Sequence, residues 1–312
     1  MLSIDRPKCV KDEGVKGKIM NELERKLLRF IADGDMSRSK QAAIMILRSI
    51  KTAKDEQFKN SLLRKLEAKP TLIELPANLK GLLRAEDSSM FPIGRYYALP
   101  ELDDVANKIV AISKISKQLW EKGIRYIPTM LVHGETGCGK TDFARYIAYK
   151  SGIPFLLVKF SGLVSSYLGS TQKNIQLIFD YANENPCLLC IDELDAIGMR
   201  RGSRDDVAEL SRVTIALMQE LDTIQTSCII IGTTNRFSDL DPALIRRFTM
   251  KQEIGRLKND QAKDVTRRFL KYCGMEDDVE IIRDEEEHTM ADVIDRCTEY
   301  VVNREMTNLV GT

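Results

Sequence analysis

At 312 residues, 43% hydrophobic and 30% charged, the chain has the composition of an ordinary soluble protein, with room for one large or two to three small domains. The formal net charge of +1 hides an excess of Lys and Arg over residues 1–95 and of Asp and Glu over residues 96–312, so two regions of opposite character are expected. No run approaches a transmembrane length, Met1 to Val15 is charged, and seven scattered cysteines make no disulfide framework; the expectation is a cytoplasmic protein with no membrane partner.

Residues 16–69 read as three short helices. Ile19, Leu23, Leu27, Phe30 and Ile31 share one face up to Gly34. Ser37 caps a second helix carrying Ile44, Leu47 and Ile50, and Phe58, Leu62, Leu63 and Leu66 mark a third near Asp55 to Lys69. The basic charge is spread along these helices without interleaved aromatics, which favours solvated faces over a nucleic-acid site. Pro70, Pro76, Pro92, Gly94 and Pro100 punctuate a linker before a helix of roughly twenty residues from about Leu102 to near Gly123.

Met130-Leu131-Val132-His133 reads as a buried strand, and Thr141 to Lys150 as a helix with Phe143, Ala144, Ile147 and Ala148 on one face. Between them, Gly134-Glu135-Thr136-Gly137-Cys138-Gly139-Lys140-Thr141 matches the P-loop pattern G-x-x-x-x-G-K-[ST] in its strand-loop-helix setting. Its backbone amides, at a helix N-terminus, suit a phosphate chain. Lys140 is placed to neutralise the β and γ phosphates and Thr141 to offer a hydroxyl to Mg²⁺. A nucleoside triphosphate with Mg²⁺ is the expected ligand, which the family resemblance given below narrows to ATP. Cys138 lies inside the loop, so bulky alkylation of its thiol is expected to inhibit.

Strands and helices then alternate, which argues for a doubly wound parallel sheet, an α/β fold. Pro154 to Phe160 is a strand and Thr171 to Asn183 a helix. Cys187-Leu188-Leu189-Cys190-Ile191 is a buried strand whose cysteines read as core residues, and it ends in Asp192 and Glu193. In a P-loop enzyme Asp192 holds Mg²⁺ and Glu193 polarises the attacking water; the plainer alternative is a helix cap and a first-turn acid. Cys228 to Gly232 is a further strand ending in Thr233-Thr234-Asn235-Arg236, where Asn235 either holds that water or only forms a turn. Asp241 to Phe248 is a short helix ending in Arg246 and Arg247, which have no acid partners nearby in sequence; as arginine fingers they imply a neighbouring subunit.

In this order the motifs Gly134–Thr141, Cys187–Glu193, Thr233–Asn235 and Arg246-Arg247-Phe248 resemble the AAA family of ATPases, in the remodelling branch that includes katanin, spastin and the proteasomal ATPases. The likeness covers about residues 102–302 and extends to stand-alone bacterial AAA proteins with a short helical N-terminal domain. It implies a P-loop NTPase (AAA+) core with a five-stranded parallel sheet, and a homo-oligomeric ring, usually of six, with active sites between protomers. By the same resemblance Lys140 and Thr141 are Walker A, Asp192 and Glu193 Walker B, Asn235 sensor 1, and Arg246 and Arg247 the arginine fingers. The domains expected are a helical substrate or adaptor domain at 1–75, a linker at 76–101, the large ATPase subdomain at 102–255 and a helical lid at 256–312.

Ser166-Tyr167-Leu168-Gly169-Ser170 resembles the pore loop with which such rings grip an extended polypeptide, and Arg200, Arg201 and Arg204 fall where a second pore loop is expected. In the lid, Leu257 to Tyr272 and a segment opening at Thr289 read as helices flanking acidic residues 277–287. Relatives place a Gly-Ala pair there against the nucleotide, where this chain has Met290 and Ala291, and Tyr272 falls near a ribose- or adenine-contacting position. The function implied is remodelling, unfolding or threading of a protein substrate. Two alternatives stand beside it, a DNA-directed AAA+ loader or helicase and a nucleotide-gated scaffold. Relatives of this kind work beside a protease, in defence systems or in quality control, and residues 1–95 select none of these.

Overall fold

The computed structural model describes residues 22–32, 36–49, 59, 74–159, 163, 170–196, 207–224, 228–275 and 287–310. The chain divides into two compact units, residues 1–68 and 69–312. In the first, helices α1 (Glu22–Ala32) and α2 (Met36–Ser49) pack on each other. Leu23, Leu27 and Phe30 are half-buried, whereas Ile31, expected on the same face, is exposed. The third helix expected near residues 55–69 lies outside the described residues, apart from Lys59.

The second unit is built on a six-stranded sheet in the order β1-β3-β4-β5-β2-β6. Five strands run parallel: β2 (Thr129–His133), β3 (Phe155–Val158), β4 (Leu188–Ile191), β5 (Ile229–Thr234) and β6 (Met250–Glu253). The sixth, β1 (Leu83–Glu86), pairs antiparallel with β3 at the sheet edge and comes from the stretch read above as a linker. Pairing Leu83 with Val158 and Glu86 with Phe155 turns a Pro-punctuated segment into part of the core.

The alternation of side chains along each strand divides the core into two layers. Leu131, Leu156, Leu189 and Ile230 face one layer, closed by α5 (Ser170–Glu184) and α6 (Val207–Thr223) through Ile178, Phe179 and Leu217. Met130, Val132, Leu188, Cys190 and Ile231 face the other, under α3 (Pro100–Glu121) and α4 (Lys140–Ser151) through Ile109, Phe143 and Ile147. The Pro100 ring starts α3, where its missing N–H costs nothing. The short helix α7 (Pro242–Ile245) leads into β6, and α8 (Asn259–Tyr272) packs on α9 (Met290–Val310). A parallel sheet covered on both faces leaves the carboxyl ends of its strands as the open edge. The P-loop follows β2, the acid pair β4, and Asn235 β5, so all three meet there.

Candidate nucleotide-binding site

The loop after β2 closes on itself. Gly134 donates its N–H to the Thr234 carbonyl at 3.3 Å, and a Cβ there would stand 2.0 Å from the Ile254 carbonyl oxygen, so no larger residue fits. Gly139, at φ 91°, caps α4 from the left-handed region. Lys140 is only 8% exposed, and its ammonium donates to the carbonyls of Gly134 (3.0 Å) and Glu135 (2.7 Å). Burial pushes its pKa down, against the field of Asp192, Asp195 and Glu193.

Thr141 Oγ1 donates to both carboxylate oxygens of Asp192, each at 3.0 Å, and Thr233 Oγ1 donates to the same carboxylate. Thr233 Oγ1 also accepts the Glu193 N–H at 3.1 Å. Glu193 sits at φ 53°, a left-handed conformation that costs a glutamate roughly 1–3 kcal/mol. A cavity of about 430 Å³ is lined by Lys140, Thr141, Asp192, Glu193, Asn235 and Ala291. It therefore brings together the loop lysine and threonine, both acids, the strand-end amide and the alanine at the start of α9. Asp192 and Thr141 form a hard-oxygen pair of the kind that suits Mg²⁺, which keeps most of its shell as water and phosphate oxygens.

A second cavity of about 340 Å³ adjoins the first and is lined by Phe91, Tyr96, Tyr97, Cys138, Val265 and Met290. Asp142, Arg145, Met290 and Ile294 line both cavities. Arg145 is held by Glu86 of β1 at 2.8 Å and by Asp142 at 2.9 Å. The sequence analysis does not single out the segment at 91–97 or Arg145; the available signal is the aromatics Phe91, Tyr96 and Tyr97 on either side of Pro92.

The start of α9 reaches the loop directly. Ala291 donates its N–H to the Gly137 carbonyl at 2.9 Å. Thr289 and Asp292 cap the start of α9 reciprocally, at 3.0 and 3.1 Å, which draws the Asp292 carboxyl below its usual range, chiefly through the Thr289 hydrogen bonds. Arg256 pairs with Glu135 of the loop at 2.8 Å.

Four expectations change on this geometry. Tyr272 is 58% exposed and lines neither cavity; its ring packs against Gly94, so it supports the 91–97 segment from behind. Cys138 is 2% exposed, and burial raises its thiol pKa, so the side chain joins the core instead of facing the phosphate cavity. Arg247 does have an acid partner in its own chain: it pairs with Asp222 of α6 at 2.8 Å and donates to the carbonyls of Ala243 (2.7 Å) and Met218 (3.3 Å). Arg246 is exposed, and neither arginine lines the cavities. The strand expected to end at Gly232 runs on to Thr234, so Thr233 and Thr234 belong to β5. The expected pore loop, Tyr167, Leu168 and Gly169, and the arginines Arg200, Arg201 and Arg204 lie outside the described residues.

Residues 130–256 match the family model described as "ATPase family associated with various cellular activities (AAA)". An uncharacterised AAA family ATPase of Sinorhizobium fredii is 38% identical over 131 residues, 42% of this chain and 40% of that protein. The peroxisomal ATPase PEX6 of Arabidopsis thaliana is 35% identical over 46% of this chain and 16% of its own length. A probable 26S proteasome regulatory subunit 10B of Caenorhabditis elegans is 37% identical over 50% and 40%. The matched region thus spans two fifths or less of these relatives. Among solved structures, a chain of the E. coli MS115-1 HORMA:CdnC:Trip13 complex superposes with a TM-score of 0.56 at 21% identity, covering 72% of this chain and 89% of that one, a likeness of fold. With a matching family model, five parallel strands and a P-loop set against a strand-end acid pair, residues 130–256 are identified as a domain of the AAA family of ATPases.

Proposed function

We propose that the chain is a Mg²⁺-dependent ATPase that works as a ring and remodels a protein substrate. The observation that carries the ATPase reading is the convergence of Lys140, Thr141, Asp192 and Glu193 on one cavity, with the Thr141 hydroxyl already against the Asp192 carboxylate. In this reading the amides of residues 136–140 cradle the phosphates, and Lys140 exchanges its two carbonyl partners for phosphate oxygens. Thr141 and Asp192 hold Mg²⁺, which when bound neutralises charge on the β and γ phosphates. Glu193 orients a water for in-line attack and takes its proton, and Asn235 fixes that water from the neighbouring strand end. Met290 and Ala291 close the lid side, and the 340 Å³ cavity beside them takes the base.

The ring reading rests on sequence and kinship. Arg246, exposed at the end of α7, is the arginine free to serve a neighbour's γ-phosphate, while Arg247 anchors α7 to α6 through Asp222. Relatives named as peroxisomal and proteasomal ATPases, together with Tyr167-Leu168-Gly169, support a threading role for residues 102–255 with a lid at 256–312 and a substrate- or adaptor-binding domain at 1–75. The test is the ATPase rate per subunit against protein concentration for wild type, Arg246→Ala and Tyr167→Ala. The expected result is specific activity that rises with concentration, collapses in Arg246→Ala and survives in Tyr167→Ala. Activity independent of concentration and of Arg246, in a range that includes demonstrable monomer, rejects the shared site.

A further inference from the structure

We infer that Asp195 is a positioning residue for hydrolysis: it ties the turn that carries Glu193 to the end of β5, so that turnover, and not nucleotide affinity, depends on it. The inference rests on the ATPase reading above. Glu193 is, among the described residues, the non-glycine residue at positive φ. Such a conformation persists only where its surroundings hold it from more than one side. On the near side Thr233 accepts the Glu193 N–H. Beyond Glu193 the chain makes a single 3-10 turn, Leu194–Ala196, closed by the Ala196 N–H on the Glu193 carbonyl at 2.9 Å.

Asp195, within that turn, supplies the second hold. Its Oδ1 accepts the Thr234 hydroxyl at 2.8 Å and the Asn235 N–H at 3.1 Å. Thr234 Oγ1 in turn accepts the Arg236 N–H at 3.0 Å, and Thr234 is fully buried. The result is a continuous chain of hydrogen bonds from Arg236 through Thr234 to the Asp195 carboxylate. Bonds in such a chain polarise one another, and a buried hydroxyl left without its acceptor is costly. Asp195 does not itself line the phosphate cavity, whereas Glu193 and Asn235 do. It therefore acts through them: it fixes the separation of the carboxylate and the amide that would share one water. Loss of the acceptor lets the Glu193 turn relax and Asn235 drift, while the loop, Lys140 and Thr141 keep their contacts.

The experiment measures kcat and, separately, the Kd of a fluorescent ATP analogue with Mg²⁺ for the full chain and for Asp195→Ala, Asp195→Asn and Thr234→Val. Asp195→Ala is expected to lower kcat by about tenfold to a hundredfold, the effect of a small misplacement of reacting groups, with Kd little changed. Asp195→Asn keeps an acceptor oxygen and recovers most of that loss. Thr234→Val keeps the shape, removes one of the two donors and falls between. Wild-type kcat in Asp195→Ala, an Asn variant as slow as the Ala variant, or Kd rising in step with the loss of kcat overturns the inference. If Asp195→Ala does not fold, unaltered kcat in Thr234→Val overturns it. A wild-type chain that binds and hydrolyses no ATP removes the ATPase reading and this inference with it; an active wild type with an unaffected Asp195→Ala removes the inference alone.

Discussion

The hydroxyl of Thr141 meets both oxygens of the Asp192 carboxylate at 3.0 Å, across 51 residues of sequence. One residue lies in the first turn of the helix after β2 and the other directly follows β4, so two strand ends separated by β5 in the sheet are joined at the point where a cation would sit. Asp192→Asn removes the charge but keeps the shape and one acceptor. It is expected to raise the Mg²⁺ concentration for half-maximal ATP hydrolysis by about tenfold or more, the scale seen when a metal's supporting carboxylate is lost. A Mg²⁺ titration of the ATPase rate checks this, and an unchanged midpoint rejects Asp192 as the Mg²⁺ residue.

Lys140 ties the loop together through the Gly134 and Glu135 carbonyls. Lys140→Ala should therefore act twice: ATP binding is lost, and the loop loses two charge-assisted bonds whose removal costs about 1–2 kcal/mol. Calorimetric ATP binding and thermal unfolding read the two effects separately. A variant that retains ATP affinity contradicts the assignment.

The buried Cys138 thiol, with its pKa raised, is expected to resist modification, while the exposed Cys273 reacts first. Mass spectrometry after brief maleimide treatment at neutral pH should find Cys273 labelled and Cys138 labelled only after unfolding. Because the thiolate is the reacting form, the residual rate at Cys138 rises with pH up to its elevated pKa. Rapid labelling of Cys138 in the folded chain contradicts its placement in the core.

The two arginines after α7 separate by their partners. Arg247→Ala removes the half-exposed Asp222 pair and two carbonyl bonds and should lower stability by about 1 kcal/mol, visible as a lower Tm. Arg246→Ala, at an exposed position, should leave Tm unchanged and lower only the turnover of the assembled protein. Equal thermal shifts in both variants reject this division of labour.

The strands and the loop were legible because their signals are local. Met130 to Thr141 carries its own hydrophobic run, its glycines and its lysine, and Leu188 to Glu193 its own buried strand and acid pair. What escaped depends on partners distant in sequence. β1 is a strand only because Leu83–Glu86 finds β3, and a stretch bounded by prolines gives no alternation that reveals this. Asp222 is 25 residues from Arg247, so no spacing rule joins them. Tyr272 has the composition of a base contact, but the turn of α8 presents it to Gly94 and solvent. Asp195 was visible as a third acid close behind Asp192 and Glu193, yet its purpose emerges only once β5 brings Thr234 and Asn235 beside it.

The most direct measurement is phosphate release by wild type and Glu193→Gln, each with Mg²⁺ and with chelator, alongside ATP affinity. The account predicts Mg²⁺-dependent hydrolysis by wild type, and in Glu193→Gln an ATP affinity close to that of wild type with turnover reduced by about a hundredfold or more. Hydrolysis by Glu193→Gln at the wild-type rate, or wild-type hydrolysis that persists without a divalent cation, would contradict it.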